Sequence, residues 1–293
     1  MYLGTSLLNK NMKIHTIGTG LFKLDGGAMF GVVPKSMWQK LNPPDANNMC
    51  TWAMRCLLIE DAGRLLLIDN GIGEKQDEKF RGHFHLHGDD TLEKSLRKLG
   101  FTSADVTDVF LTHLHFDHCG GSVQRRPDGA LQVAFPNATY WSNEAHWDWA
   151  VTPNPREKAS FLKENILPIQ ESGQLQFVDV AAGVPSRLAS FREIIMADGH
   201  TEKMMVPVLD YKGRTLAFMA DLLPSTGHIP LPYVMGYDTR PLVTMTEKEA
   251  VLRRAADENW VLLLEHDATH EACTVQHTDK GVRLAETLRL ADL

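Results

Sequence analysis

Two uninterrupted apolar runs, Cys56-Leu57-Leu58-Ile59 and Leu65-Leu66-Leu67-Ile68, flank Asp61-Ala62-Gly63. A turn-forming triplet between two apolar runs predicts a β-hairpin, and hydrophobicity that does not alternate predicts strands covered on both faces. Shorter runs predict further strands at 13–17, 109–112, 175–180, 192–196, 204–209, 215–219 and 260–264, with 204–209 and 215–219 paired around Lys212-Gly213. Leu92, Leu96 and Leu99 recur at helical spacing ahead of Gly100, which predicts a helix over 91–99. A second helix is expected over 155–167. Thr246-Glu247-Lys248-Glu249 has the form of a capping box and predicts a third, running to about Asn259. Strands and helices arranged in two similar halves suit two sheets packed face to face with helices outside.

The run at 109–112 leads directly into His113-Leu114-His115-Phe116-Asp117-His118, followed by Gly120-Gly121. Side chains two apart on an extended segment share a face, so His113 and His115 can converge on one ion. Asp117 and His118 fall where the chain turns and can point elsewhere, which suggests two neighbouring ions. Imidazole and carboxylate without cysteine suit zinc, iron(II), manganese or cobalt and disfavour a closed structural zinc site. Three downstream strands also end in possible ligands, at Asp198-Gly199-His200, Ala220-Asp221 and Glu265-His266-Asp267. Loops at the ends of a rigid scaffold are where functional groups concentrate.

Composition narrows the class. With 30 Lys+Arg against 37 Asp+Glu, the net charge of -7 offers no overall basic field for nucleic acid. The four cysteines, Cys50, Cys56, Cys119 and Cys273, form no CxxC pair, as expected of reduced thiols in a cytoplasmic protein. The first eleven residues lack the features of a signal peptide, and no run approaches the length of a membrane span. The expectation is one domain over 1–293, with 1–12 a peripheral extension and Met12 an alternative start.

Taken together, the hairpin ending at Asp69, the run His113, His115, Asp117 and His118, and the later His200, Asp221 and His266 resemble the metallo-β-lactamase superfamily. The resemblance implies an α/β protein with a four-layer αβ/βα sandwich and a dinuclear site at one sheet edge. It further implies His113, His115 and His200 on one ion, Asp117, His118 and His266 on the other, Asp221 bridging both, and Asp69 orienting a ligand from behind. The cofactors implied are two divalent metal ions, zinc foremost. The activity implied is hydrolysis, in which a hydroxide shared by the ions attacks a small-molecule ester, lactone or phosphotriester; Asp117 and Asp221 are the catalytic carboxylates.

Within the superfamily the chain is similar to the branch of quorum-quenching lactonases and aryl phosphotriesterases, through Asp25-Gly26-Gly27-Ala28-Met29-Phe30, Phe135-Pro136-Asn137-Ala138 and Asp221-Leu222-Leu223. Two positions depart from it. The segment after His200 reads Thr201-Glu202-Lys203-Met204 rather than the common Thr-Pro-Gly-His, and Pro224 stands where lactonases commonly carry a tyrosine. Tyr233, Tyr237 and His228 are candidate replacements. Met29, Phe30, Trp52 and Tyr233 are expected to wall a small-molecule pocket. His83, His85 and His87 are expected to form a solvated loop rather than a further metal site. Two other activities stay open: a nuclease of the same superfamily, and a mononuclear-iron redox enzyme of the persulfide dioxygenase type. No nucleic acid or membrane partner is expected; a homodimer is an open possibility.

Overall fold

In the computed structural model, which describes residues 12–293, the hairpin forms as the apolar runs require. Strands β2 (Met49–Asp61) and β3 (Arg64–Ile68) pair antiparallel from Leu57↔Ile68 to Asp61↔Arg64. The turn between them places Ala62 at φ 49° and Gly63 at φ 76°, the left-handed pair that matches strand twist. The continuous hydrophobicity has the expected cause. Leu57, Ile59, Leu66 and Ile68 face one core, and Leu58, Leu65 and Leu67 face another.

Around this hairpin a six-stranded sheet runs β1 (Lys13–Asp25), β2, β3, β4 (Asp108–Phe110), β7 (Thr139–Ser142) and β8 (Leu175–Phe177). The excursion β5 (Val123–Arg125) and β6 (Leu131–Val133) forms a separate ribbon. A second six-stranded sheet runs β14 (Gly281–Leu288), β13 (Ala272–Thr278), β12 (Val261–Leu263), β11 (Arg214–Phe218), β10 (Met204–Tyr211) and β9 (Glu193–Ala197). Ile59, Ile68 and Phe110 of the first sheet share one buried cluster with Val208, Leu216 and Phe218 of the second, so the main core lies between the sheets.

Helices cover both outer faces. Leu96 of α4 (Leu92–Lys98), Trp147 of α6 (Glu144–Val151) and Ile166 and Ile169 of α7 (Lys163–Glu171) pack beneath the first sheet. Helix α8 (Pro241–Glu258) lies on β13 of the second through Val251, Leu252 and Ala255. The short α1 (Gly26–Phe30), α2 (Lys35–Trp38), α3 (Glu78–Phe84) and α5 (Phe116–Cys119) border the strand ends. The layers are therefore the αβ/βα sandwich expected. The expected N-terminal extension falls outside the described residues but for Met12, which is buried in the main core.

Two helices differ from their sequence expectation. The segment expected as a helix over 155–167 is turns over 155–160 and irregular at Phe161 and Leu162, and the helix starts at Lys163. Asn154 Oδ1 accepts the Arg156 and Glu157 amides, while Glu157 accepts from Trp149, Asn154 and Thr201. These side-chain bonds satisfy the backbone locally and displace the helix. Helix α8 begins at Pro241, where a missing N–H costs nothing, and not at Thr246. Glu247 cannot cap it, because its carboxylate accepts the amides of Asp198 (2.8 Å) and Gly199 (3.0 Å).

Candidate metal centre

The expected site residues outside the hexapeptide, and His113 that opens it, all follow strand ends. Asp69 follows β3, His113 follows β4, His200 follows β9, Asp221 follows β11 and His266 follows β12. β9 and β11 are each antiparallel to β10 while β12 is parallel to β11, so these three strands deliver their C-termini to one edge. At that edge the Ala53 amide donates to His266 O (3.0 Å) and the Arg55 amide to Glu265 O (3.0 Å), tying the two sheets together.

The hexapeptide itself is irregular at first and then makes the single helical turn α5, which carries Asp117 and His118. Gly120 and Gly121 then let the chain pass against residues 70–72. A Cβ at Gly120 would lie 2.1 Å from Ile72 O, and one at Gly121 would lie 2.3 Å from Asn70 O. Asp69 adopts φ 55°, a left-handed conformation that Asp tolerates better than most residues. Its Oδ1 accepts the Thr112 amide (2.8 Å) and its Oδ2 the Thr112 hydroxyl (2.6 Å).

Two groups of donors result. His113 Nε2 and His200 Nε2 each lie 3.1 Å from His115 Nδ1, and Asp221 Oδ2 lies 3.1 Å from His200 Nε2. His118 Nε2 and His266 Nε2 are 3.2 Å apart, with Asp117 Oδ2 3.9 Å from the first and 3.8 Å from the second. Asp221 Oδ1 lies 3.0 Å from His266 Nε2 and 3.5 Å from His118 Nε2. One carboxylate thus divides its oxygens between the groups.

The opposite ring nitrogens decide what this arrangement can hold. His113 Nδ1 faces the Thr112 hydroxyl (3.1 Å), His118 Nδ1 faces Asp69 Oδ2 (3.2 Å), His200 Nδ1 faces Asp238 Oδ1 (2.9 Å) and His266 Nδ1 faces the Ala53 carbonyl (2.8 Å). The Thr112 hydroxyl already gives its proton to Asp69, so each of these four partners accepts and each Nδ1 carries the hydrogen. Four Nε2 lone pairs are then aimed inward. Facing lone pairs 3.2 Å apart repel unless an electrophile lies among them. Asp221 Oδ1 is buried without a hydrogen-bond partner as well. The donor set fits divalent cations, and outer partners that fix the tautomer are what such ligands require.

In the cation's absence, protons would take its place. Burial lowers the His200 pKa, but Asp221 and Asp238 overcome it and carry it up to about 10; for His266 burial is likewise overcome by Asp221, to about 9. Asp221, which burial would raise, is held well below the usual carboxylate range by His266, His118 and His200. Glu157 stands 3.7 Å from His115 Nε2; burial would raise its carboxyl, but His115, Thr201, Asn154 and Trp149 hold it down to about 2. Glu265 Oε2 lies 3.1 Å from His118 Nδ1, and burial takes this carboxyl up to about 8.

Comparison with known proteins follows the same lines. Residues 55–127 match the model of the Metallo-beta-lactamase superfamily. A probable metal-dependent hydrolase from Staphylococcus aureus superposes over 97% of this chain and 99% of its own, with TM-score 0.83 and 27% identity. The chain has the metallo-β-lactamase fold. The dizinc quorum-quenching lactonase AidC, in complex with a product, shares that fold at TM-score 0.79 over 96% of each chain, with 22% identity. The N-acyl homoserine lactonase of Bacillus cereus is 27% identical over 138 residues, 44% of this chain and 48% of that protein. The match therefore spans about half the length of that relative.

On this metallo-β-lactamase fold a cleft of about 370 Å³ opens over His115, Asp117, His200, Asp221 and His266. Its upper walls are apolar: Leu24, Met29, Phe84, Phe116 and Met235, with Tyr237 and Arg156 also lining it. Of the four residues expected to wall the pocket, Met29 lines it. Phe30, Trp52 and Tyr233 do not; their rings pack on one another around Trp38 and His228 and form the support behind Met29. His228 is committed to that support, accepting from Ser225 Oγ (2.8 Å) through Nδ1 and donating to Met29 O (2.8 Å) through Nε2. Of the three candidate replacements for the lactonase tyrosine, Tyr237 is the one at the cleft. His83, His85 and His87 are exposed and belong to no ligand cluster among the described residues.

Several participants had no signal in the sequence. Asp238, Glu157 and Glu265 follow no periodic pattern, and Glu265 is marked only by its place beside His266. His146 is a further one. Its Nε2 accepts the Leu114 amide (2.8 Å), which puts the hydrogen on Nδ1 for the Glu202 carbonyl (2.5 Å) and clamps the backbone between His113 and His115.

Proposed function

We propose that this protein is a dinuclear metal-dependent hydrolase acting on a small lactone or ester with an apolar acyl portion. The observation that carries the reading is the division of the Asp221 oxygens between two imidazole groups at the floor of an apolar cleft. His113, His115 and His200 would hold one ion, Asp117, His118 and His266 the other, and Asp221 would serve both. Two divalent cations, when bound, supply Lewis acidity toward a carbonyl or phosphoryl oxygen and a water acidified toward neutral pH.

The chain's own residues do the rest. Leu24, Met29, Phe84 and Met235 exclude water and take the apolar part of the substrate. Burial, with Asp117 and Asp25 nearby, pushes the Tyr237 phenol up to about 12, so it stays protonated and can donate a hydrogen bond to the substrate carbonyl or the departing oxygen. The Asp117 carboxylate lines the same cleft and is placed to hold a proton for the leaving alkoxide. Lactonase names among the similar proteins favour the lactone over other esters. A cytoplasmic location belongs to the same reading and rests on four free, buried cysteines; no helix among the described residues is long and apolar enough to cross a membrane.

The test is a hydrolysis panel on zinc-loaded protein: N-acyl homoserine lactones of graded acyl length, aryl esters, an aryl phosphotriester and a single-stranded RNA. Lactone turnover should lead, rise with acyl length until the cleft is filled, and fall about 10- to 100-fold in Tyr237→Phe. Turnover of RNA or the phosphotriester without lactone hydrolysis would overturn the reading.

A further inference from the structure

A second cavity, of about 420 Å³, lies on the other side of the turn that carries His118, and nothing in the proposed hydrolysis uses it. Its wall includes Lys75, Asn70, Gly121 and Arg125. Lys75 is 8% exposed, and among the described residues its ammonium has a single hydrogen-bond partner, the Gly120 carbonyl at 2.5 Å. No carboxylate pairs with it among the described residues, although the field of the exposed Glu164 reaches it. A buried ammonium usually has a counter-ion in contact; here the favourable fields of Cys119 and Glu164 act without an ion pair, and Arg125 opposes them. Arg125 also lacks an acid: its bond is from Nη1 to the Gly129 carbonyl (2.9 Å).

A buried acceptor belongs to the same wall. Asn70 is 1% exposed and its Nδ2 donates to Ser122 Oγ (2.7 Å), but its Oδ1 is buried with no donor. That oxygen stands 3.1 Å from the position a Cβ would take on Gly121, next to the glycine whose carbonyl Lys75 holds. Among the described residues, an ammonium without an acid partner and an acceptor without a donor therefore flank one dipeptide.

We propose that this cavity is a small-molecule site for a monocarboxylate bearing an adjacent hydroxyl or amide N–H, with the carboxylate on Lys75 and Arg125 and the donor on Asn70 Oδ1. Glu74 and Glu93 at the cavity wall disfavour a dianion such as phosphate. The site abuts the metal-ligand turn directly, since the Asn70 amide donates to His118 O (2.9 Å).

Glycolate, acetate and inorganic phosphate titrated into [15N]glycine-labelled, zinc-loaded protein test this. Glycolate should give saturable shifts at the Gly73, Gly120 and Gly121 amides, with acetate and phosphate binding several-fold more weakly. Lys75→Met, which keeps most of the aliphatic stem, should weaken glycolate at least roughly tenfold, and the exposed Arg125→Gln several-fold. Asp221→Asn, which disturbs the metal cleft, should leave the shifts in place. Absence of saturable shifts, shifts unchanged in both cavity variants, shifts lost in Asp221→Asn, or tighter binding of phosphate or acetate than of glycolate would each overturn the proposal.

Discussion

Asp238→Asn separates the two halves of the proposed metal centre. Asp238 is buried, and its Oδ1 accepts from His200 Nδ1 at 2.9 Å while its Oδ2 accepts the Met235 amide at 3.1 Å. Asparagine can keep one of these bonds. If its oxygen stays on His200, the charge-assisted bond becomes a neutral one, a loss of about 1 kcal/mol, and its NH2 faces the Met235 N–H, a loss of about 1 kcal/mol more. The Met235 loss falls alike on the metal-free and metal-bound forms, so the His200 loss alone, about 1 kcal/mol, weakens the ion at the His113, His115 and His200 group roughly fivefold. The second ion should be nearly untouched, because Asp238 contacts neither His118 nor His266. Competition titration against a chelating dye, with metal counted per chain, should resolve one wild-type-like site and one weakened site. Equal weakening of both ions, or of neither, would refute the assignment of His200 to one group.

Two further outcomes follow from buried groups outside the ligand set. Lys248 Nζ donates to the carbonyls of His228 (2.9 Å), Pro230 (3.4 Å) and Tyr233 (2.8 Å), so Lys248→Met strands acceptors beneath the Met235–Tyr237 wall. It should cost about 2 kcal/mol in denaturant unfolding and raise KM more than it lowers kcat; unchanged stability would show that these carbonyls find other donors. His228 is held neutral: burial is the main cause, and its pKa is lowered from 6.5 to about 3. The unfolded chain takes up this proton below about pH 6.5 and the native protein refuses it, so the stability contribution is complete above that pH and is lost as pH falls toward 3. The loss is about 1.4 kcal/mol per pH unit. His228→Gln should flatten the stability profile between pH 6 and 4 by about that slope, read as the difference from wild type in urea unfolding; parallel profiles would contradict it.

How far the sequence reaches depends on the range of the interaction that shapes each segment. Leu57 to Ile68 is governed by its own alternation between two cores and by Ala62-Gly63, so its hairpin is legible from twelve residues. Candidate ligands such as His200 and Asp221 are legible because they follow apolar strands that mark where the chain leaves the core. Residues 155–162 read as helix because local propensity favours it, yet Glu157 is drawn to Thr201 and His115, 44 and 42 positions away, and no local pattern records that. Thr246-Glu247 fails for the same reason. Its glutamate is spent on the amides of Asp198 and Gly199, 49 and 48 positions back, where it fixes the loop that presents His200.

Both departures from helix place a carboxylate beside the histidine groups, Glu157 at 3.7 Å from His115 Nε2 and Glu247 on the loop ahead of His200, which points to a common physical cause. A ligand sphere of imidazoles needs acceptors behind each ring, and short loops at strand ends cannot supply them all from neighbouring residues. Thr112 does so locally for His113; Asp69 serves His118 from 49 positions away, but it stands at the end of a recognisable strand. Asp238 reaches His200 from a segment on the cleft wall, where the Glu157 carboxylate also stands 3.7 Å from His115, and Glu247 holds the backbone ahead of His200 from the helix behind. Local rules fail where the chain supports its site from a distance, so departures from propensity in a chain of this fold are themselves a guide to the outer partners of the ligands.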